Sequence, residues 1–103
     1  MTYIALLAAL ETTGIPWAYH HWNGRKPPPY GVYLDLEDDP FFADDRNFAS
    51  FRAMRLETYS LERDPALDGR IKEALDSLGL SYDVDYTWVE SEGLYETIFE
   101  FEV

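Results

Sequence analysis

Apolar residues along the chain follow two different spacings, one helical and one alternating. They recur every three or four positions across residues 2–13, which predicts a first helix that Pro16 prevents from continuing. A second helix is predicted from Asp64, an N-cap residue followed by proline, to Gly79. Gly69 lies inside this second helix, where glycine is unfavourable, so we expect it to mark a close crossing over the sheet.

Alternation of apolar and polar residues predicts five strands. In the second of them Val32 and Leu34 are expected to point inward, and Tyr33 and Asp35 outward. Short turns between consecutive strands favour antiparallel pairing. The order α-β-β-β-α-β-β therefore predicts an α+β two-layer sandwich, with a mainly antiparallel sheet and both helices on one face. The predicted strands span residues 17–22, 30–36, 50–60, 81–89 and 94–103.

The 103 residues are predicted to form one α+β domain, residues 1–103, with a protruding arm at residues 37–49. This segment combines four aspartates with three phenylalanines, and long loops in compact domains are usually functional or disordered. One interpretation is that the rings fold back as a small satellite core. The other is that they contact a neighbouring subunit, because aromatic residues and arginine dominate interface centres. The interface residues of this hypothesis are Phe41, Phe42, Arg46 and Phe48.

Acidic residues outnumber basic ones by 20 to 8, which gives a formal charge of −12. Residues 73–103 contain nine of the acids and no base. A surface of this charge is unfavourable for general binding to nucleic acid or to an anionic membrane. The longest apolar run, residues 3–10, is too short to span a membrane, so we expect no membrane partner. The uncovered face of the sheet is predicted to carry Tyr33, Asp35, Asp83, Asp85, Glu96, Glu100 and Glu102.

Few residue types in the chain could carry catalysis. Cysteine is absent from the sequence, which excludes disulfides, thiolate zinc sites and thiol chemistry. His20 and His21 would point to opposite faces of a strand and could not share one metal ion, so we expect one buried and one exposed imidazole. The aspartates of residues 37–49 lack the spacing of a calcium loop, and no phosphate-binding or nucleophile motif occurs. We therefore predict neither an enzyme nor a cofactor or metal site.

Several short motifs resemble a known family. They are the run Gly-Ile-Pro-Trp-Ala-Tyr-His-His-Trp at 14–22, Pro-Pro-Tyr-Gly-Val-Tyr at 28–33, Phe-Ala-Asp-Asp at 42–45, Thr-Trp-Val-Glu-Ser-Glu at 87–92, Leu-Tyr-Glu at 94–96 and Phe-Glu-Phe-Glu-Val at 99–103. In combination they resemble the tail terminator, tail completion or minor tail component proteins of long-tailed bacteriophages and prophages. The resemblance covers nearly the whole chain in the same element order.

The resemblance implies a structural role without catalysis. Proteins of this kind form a hexameric ring that stops tail-tube growth and joins the tail to the head. The expected partners are copies of the chain itself, the tail tube and head-completion proteins, with DNA passing nearby without tight binding. The expected location is the virion tail, or the host cytoplasm during assembly. The alternatives are a head-closure or head–tail joining protein, and an acidic inhibitor that mimics DNA.

An acidic wall repels phosphates, which suits a ring around a DNA channel. On that basis the acidic face of the last two strands is predicted to line or border the lumen. The residues of this hypothesis are Asp83, Asp85, Glu96, Glu100 and Glu102.

Overall fold

The computed structural model describes residues 3–36 and 53–102. The predicted arm at 37–49, with Phe41, Phe42, Arg46 and Phe48, lies outside the described residues. The described elements follow the predicted order and confirm the α+β sandwich. They are α1 (Tyr3–Glu11), β1 (Trp17–Tyr19), β2 (Tyr30–Asp35), β3 (Ala53–Ser60), α2 (Pro65–Ser77), β4 (Tyr82–Val89) and β5 (Leu94–Glu102).

The five described strands form one sheet in the order β1-β2-β3-β5-β4. The β2–β3, β3–β5 and β4–β5 pairs are antiparallel, whereas β1 lies parallel to β2. The parallel pair follows from the loop of residues 20–29, whose three consecutive prolines cannot form a tight hairpin and which brings the chain back to the starting end of β1. Among the described strands, β1 and β4 are therefore the two edges of the sheet.

Both helices cover the same face of the sheet and enclose the core. Phe99 of β5 is fully buried beneath them, and each such apolar side chain contributes about 1.5–3 kcal/mol to stability. Neither described helix, of nine and thirteen residues, has the length that a membrane span requires. The buried cluster consists of Leu6, Leu10, Tyr33, Met54, Leu56, Leu67, Ile71, Leu75, Phe99 and Phe101.

The residues from which the ends of α2 were predicted also form its caps in the structure. The carboxylate of Asp64 accepts a hydrogen bond from the backbone N–H three residues later, at 3.1 Å. At the other end Gly79 adopts a φ of 73°, a conformation that glycine reaches without strain. The N–H of Leu80 then reaches the carbonyl of Leu75 at 3.2 Å, which completes a Schellman-type stop. The predicted start and stop of this helix are confirmed.

The predicted orientation of β2 is wrong. Tyr33 lies in the core, and Asp35 shares its face, where Oδ1 accepts a hydrogen bond from the Tyr19 hydroxyl at 2.6 Å. Val32 points to the opposite face yet is only 5% exposed, because residues 20–29 lie over that end of the sheet. Since both faces of β2 are covered, alternation could not identify the face toward the helices.

Two further expectations are corrected. The first strand ends at Tyr19 instead of residue 22, because His20 has a φ of 68° and the His21 N–H turns back to the Tyr19 carbonyl at 2.7 Å. Gly69 marks no close approach, since a Cβ added there would meet nothing within 4 Å. The close approach is at Gly31, where an added Cβ would lie 2.4 Å from the Trp17 ring.

Candidate functional site: the outer face of the sheet

The sheet face opposite the helices is here called the outer face. It carries most of the acidic residues that were predicted for the uncovered face of the sheet. All five residues of the acidic hypothesis lie on it: Asp83 and Asp85 from β4, and Glu96, Glu100 and Glu102 from β5. They share a face because odd-numbered residues of β4 stand opposite even-numbered residues of β5. Glu57 of β3 adds a sixth carboxylate, directly opposite Ile98. Tyr33 and Asp35, predicted for the same face, lie on the helix side instead.

Arg55 is the cation at the centre of these carboxylates. Its Nε donates to Oε2 of Glu100 at 2.8 Å, its Nη2 donates to the same oxygen, and Nη1 lies 3.5 Å from Glu57. The hydrogen bond to Glu100 raises the pKa of the Arg55 guanidinium. Glu100 also stands opposite Asp83 in β4, an arrangement of like charges that Arg55 offsets. Removing Arg55 would therefore leave two adjacent carboxylates without their cation.

Tyr59 organises a second pair of carboxylates on the outer face. Its hydroxyl oxygen lies 2.7 Å from Oε2 of Glu96 and 2.9 Å from Oε1 of Glu57. Because a phenol has one proton, Tyr59 donates to one of them at a time. Burial first, and then the hydrogen bond to Glu96, raises the pKa of Tyr59 far above its ordinary value. Tyr59 is therefore a hydrogen-bond donor that orients carboxylates, and not a base or a nucleophile.

The loop of residues 20–29 forms a groove of about 830 Å³ with the outer face beside it. The Lys26 ammonium lies 4.6 Å from the centre of the Trp22 ring, a favourable cation–π distance. Trp22 in turn donates from Nε1 to the Gly31 carbonyl at 3.1 Å and meets Tyr30 edge to face. Tyr30 stacks on Tyr59 with ring centres 5.1 Å apart. The groove thus joins a cationic, aromatic wall to the acidic side of the sheet.

The two histidines come together at the start of this loop. Both are exposed, and their Nδ1 atoms are 3.1 Å apart with the rings nearly perpendicular. The expectation of opposite faces and one buried ring is wrong, because the strand has already ended at Tyr19. Within residues 3–36 and 53–102, no group of three or more histidine, aspartate or glutamate side chains could hold a metal ion.

Sequence reasoning missed how the acidic face is organised. It identified the carboxylates of β4 and β5 but did not assign roles to Arg55 or Tyr59 of β3. The available indication was that Arg55, Glu57 and Tyr59 alternate along β3 on the side away from the core residues. It also missed Arg63, whose guanidinium lies 4.0 Å from the centre of the Tyr86 ring. The face is thus a network of oriented charges.

Comparison with known proteins assigns this chain to no family. No family model matches it, and no curated protein sequence matches it. A functional interpretation therefore depends on the contacts described above and on the motifs of the sequence.

Proposed function

We propose that this protein is a structural component of the head–tail junction of a long-tailed bacteriophage, a tail terminator that caps the tail tube and helps to join tail to head. Copies of the chain form a ring, a hexamer in the virion, through which DNA passes without tight binding. The protein performs no reaction, and contact with itself and with other virion proteins is its activity.

The observation that carries this proposal is the segregation of charge on the outer face. Six carboxylates and one guanidinium project from β3, β5 and β4 on the side without helices. Arg55 partly neutralises the centre, whereas Asp83, Asp85 and Glu102 are exposed. A potential of one sign acts over about 8 Å at physiological ionic strength, so this surface repels nearby phosphates. A wall of this kind lets DNA slide past.

Exposed apolar side chains support a function in protein–protein contact. Ile4 of α1 is 79% exposed, and Trp88 of β4 is 51% exposed. Trp88 lies beside Tyr95, with ring centres 4.8 Å apart, and Tyr86 is exposed on the same strand. Aromatic residues of this kind are enriched at the centres of protein interfaces. These groups are available to neighbouring virion proteins on the helix side of the sheet, away from the acids.

The first test is to mix the purified protein with purified tail tubes and image them by negative-stain microscopy. We expect a ring at one end of the tube, and a reconstruction in which the outer face borders the channel. Tubes without density at their ends would contradict the proposal. So would a pull-down in which the protein captures a DNA-binding protein and not the tube protein, since that result favours the DNA mimic.

A matched pair of variants tests the role of the acidic face. Glu102→Lys places a cation on the outer face, whereas Glu73→Lys makes the same change of charge at an exposed position of α2. If the outer face borders the channel, rings of Glu102→Lys should retain duplex DNA in an electrophoretic assay and rings of Glu73→Lys should not. Equal retention by both variants would indicate that net charge alone matters. An outer face located on the rim of the reconstruction would refute the channel orientation.

A further inference from the structure

The backbone places His20 and His21 side by side at the end of β1. His20 has a φ of 68°, a left-handed conformation that is uncommon for residues other than glycine. Two hydrogen bonds hold the chain there. The His20 N–H donates to the Tyr33 carbonyl at 2.8 Å, and the His21 N–H donates to the Tyr19 carbonyl at 2.7 Å. Unusual backbone conformations that the surrounding structure imposes are concentrated at functional sites.

The turn directs one nitrogen of each imidazole toward the other. Nδ1 of His20 and Nδ1 of His21 are 3.1 Å apart, with the rings at 89° to each other. In neutral rings this contact is a hydrogen bond, in which one Nδ1 carries the proton and the other accepts it. Both side chains are exposed, so water competes for the same atoms. The hydrogen bond therefore adds little to the stability of the turn.

The same separation fits two ligands of a single transition-metal ion. At a metal–nitrogen distance of about 2.05 Å, donors 3.1 Å apart subtend an angle of about 98° at the ion. This angle lies between about 90° for a square-planar site and about 109° for a tetrahedral one. The two Nδ1 atoms are thus spaced for neighbouring positions in one coordination shell.

We propose that His20 and His21 bind one divalent transition-metal ion through their Nδ1 atoms, with Cu²⁺ bound most tightly. Imidazole suits copper and zinc, and affinity among the divalent first-row ions is highest for Cu²⁺. The ion takes the place of the shared proton. The ring that carried Nδ1–H changes to its Nε2–H tautomer, so each neutral ring keeps one proton and both Nδ1 lone pairs face the ion. This site is independent of the proposed function.

The composition and surroundings of the pair set the expected strength of binding. The sequence has two histidines and no cysteine, so these rings are its only imidazole or thiolate donors. No group of three histidine, aspartate or glutamate side chains could hold an ion within residues 3–36 and 53–102, so water completes the shell. Arg25 and Lys26 line the same groove and oppose a cation locally, although the Lys26 ammonium is placed over the Trp22 ring. Binding should therefore be reversible and weaker than in a closed site of four protein ligands.

The first test is a calorimetric titration of the full chain with Cu²⁺ in a large excess of Mg²⁺. Mg²⁺ competes for the carboxylates and leaves the imidazoles free, because hard cations prefer oxygen ligands. We expect one Cu²⁺ per chain and an electron paramagnetic resonance spectrum with coupling to two imidazole nitrogens. His20→Asn and His21→Gln should each lower the affinity at least about tenfold. Asparagine is chosen at position 20 because it tolerates the left-handed conformation.

A matched control keeps two histidines in the loop but separates them. The double change His21→Gln with Asn23→His leaves the number of imidazoles and the net charge unchanged, and Asn23 is exposed. Its affinity for Cu²⁺ should be at least about tenfold below that of the wild type, because the preorganised pair of Nδ1 atoms is lost. Zn²⁺ gives a second readout on the wild type. Nitrogen NMR of the Zn²⁺ complex should show both rings bound through Nδ1, as the Nε2–H tautomer.

Four results would overturn the inference. They are a wild type without saturable Cu²⁺ binding, a separated control that binds as tightly as the wild type, a Zn²⁺ complex in which either ring is bound through Nε2, and a protein with both His20→Asn and His21→Gln that retains the copper. The last result would assign the ion to the carboxylates. Circular dichroism verifies the fold of each variant, and the two spectra of the wild type test the same geometry without any substitution.

Discussion

Replacing Gly31 by alanine should destabilise the fold where β1 meets β2. The new methyl group would lie 2.4 Å from Cε3 of Trp17, so the indole must move. That movement breaks the hydrogen bond from Trp17 Nε1 to Oγ1 of Thr13, which is 2.9 Å long and ends in a fully buried hydroxyl. Overpacking costs about 1–3 kcal/mol, and loss of one hydrogen bond adds about 1 kcal/mol. We therefore expect a loss of about 2–4 kcal/mol in the free energy of unfolding.

Urea unfolding followed by circular dichroism and tryptophan fluorescence measures this loss. For a domain of this size it corresponds to a Tm lowered by on the order of 10–25 °C. Gly69→Ala is the matched control, because a Cβ at that helical position meets nothing within 4 Å and should stabilise by about 0.5–1 kcal/mol. Adding Trp17→Leu to Gly31→Ala should recover part of the loss by making room for the methyl group. A Gly31→Ala protein that unfolds at the wild-type urea concentration would refute the predicted clash.

Three other changes have defined outcomes. Burial raises the pKa of Asp68, so the charged carboxylate lowers the free energy of unfolding at neutral pH. That loss is reversed as the pH falls through the raised pKa, because the carboxyl group then becomes neutral. Asp68→Asn should therefore raise the urea midpoint at pH 7 and lose this advantage below the ordinary aspartate pKa of 3.8. Arg55→Met should lower the free energy of unfolding by about 0.5–1 kcal/mol in urea titrations, because Glu100 loses its half-exposed cation. Replacing Phe41 and Phe42 together by serine should abolish oligomers in sedimentation while leaving the circular dichroism intact; loss of the folded signal would place both rings in the core instead.

The elements that the sequence predicted correctly are those whose ends depend on local chemistry. The Asp64 cap, the following proline and the Gly79 stop each act through contacts within a few residues, so they define α2 without tertiary information. The alternation in β3, β4 and β5 was equally informative, because only one face of those strands meets the helices. The acidic face could be predicted for the same reason.

Most of the features that were predicted wrongly or missed concern residues whose environment is created by distant segments. Val32 is buried by the loop of residues 20–29, so the apolar pattern of β2 has two buried sides and cannot show which one meets the core. His20 adopts a left-handed backbone conformation that ends β1 early, and a histidine at that position does not by itself predict a turn. The pairing of Arg55 with Glu100 joins residues 45 positions apart and depends on the strand order.

The location of the charged side chains is more informative about the function of this protein than its net charge. Exposed positions of α2 mix both signs within a few residues, with Arg70 and Glu73 three positions apart, as expected of a surface that only needs to be solvated. The outer face carries six carboxylates around Arg55, and like charges stand directly opposite each other at Asp83 and Glu100. Arg55 offsets this pair but leaves an excess of negative charge on the face, since six carboxylates surround one guanidinium. An acidic excess of this kind is what the proposed wall beside passing phosphates requires.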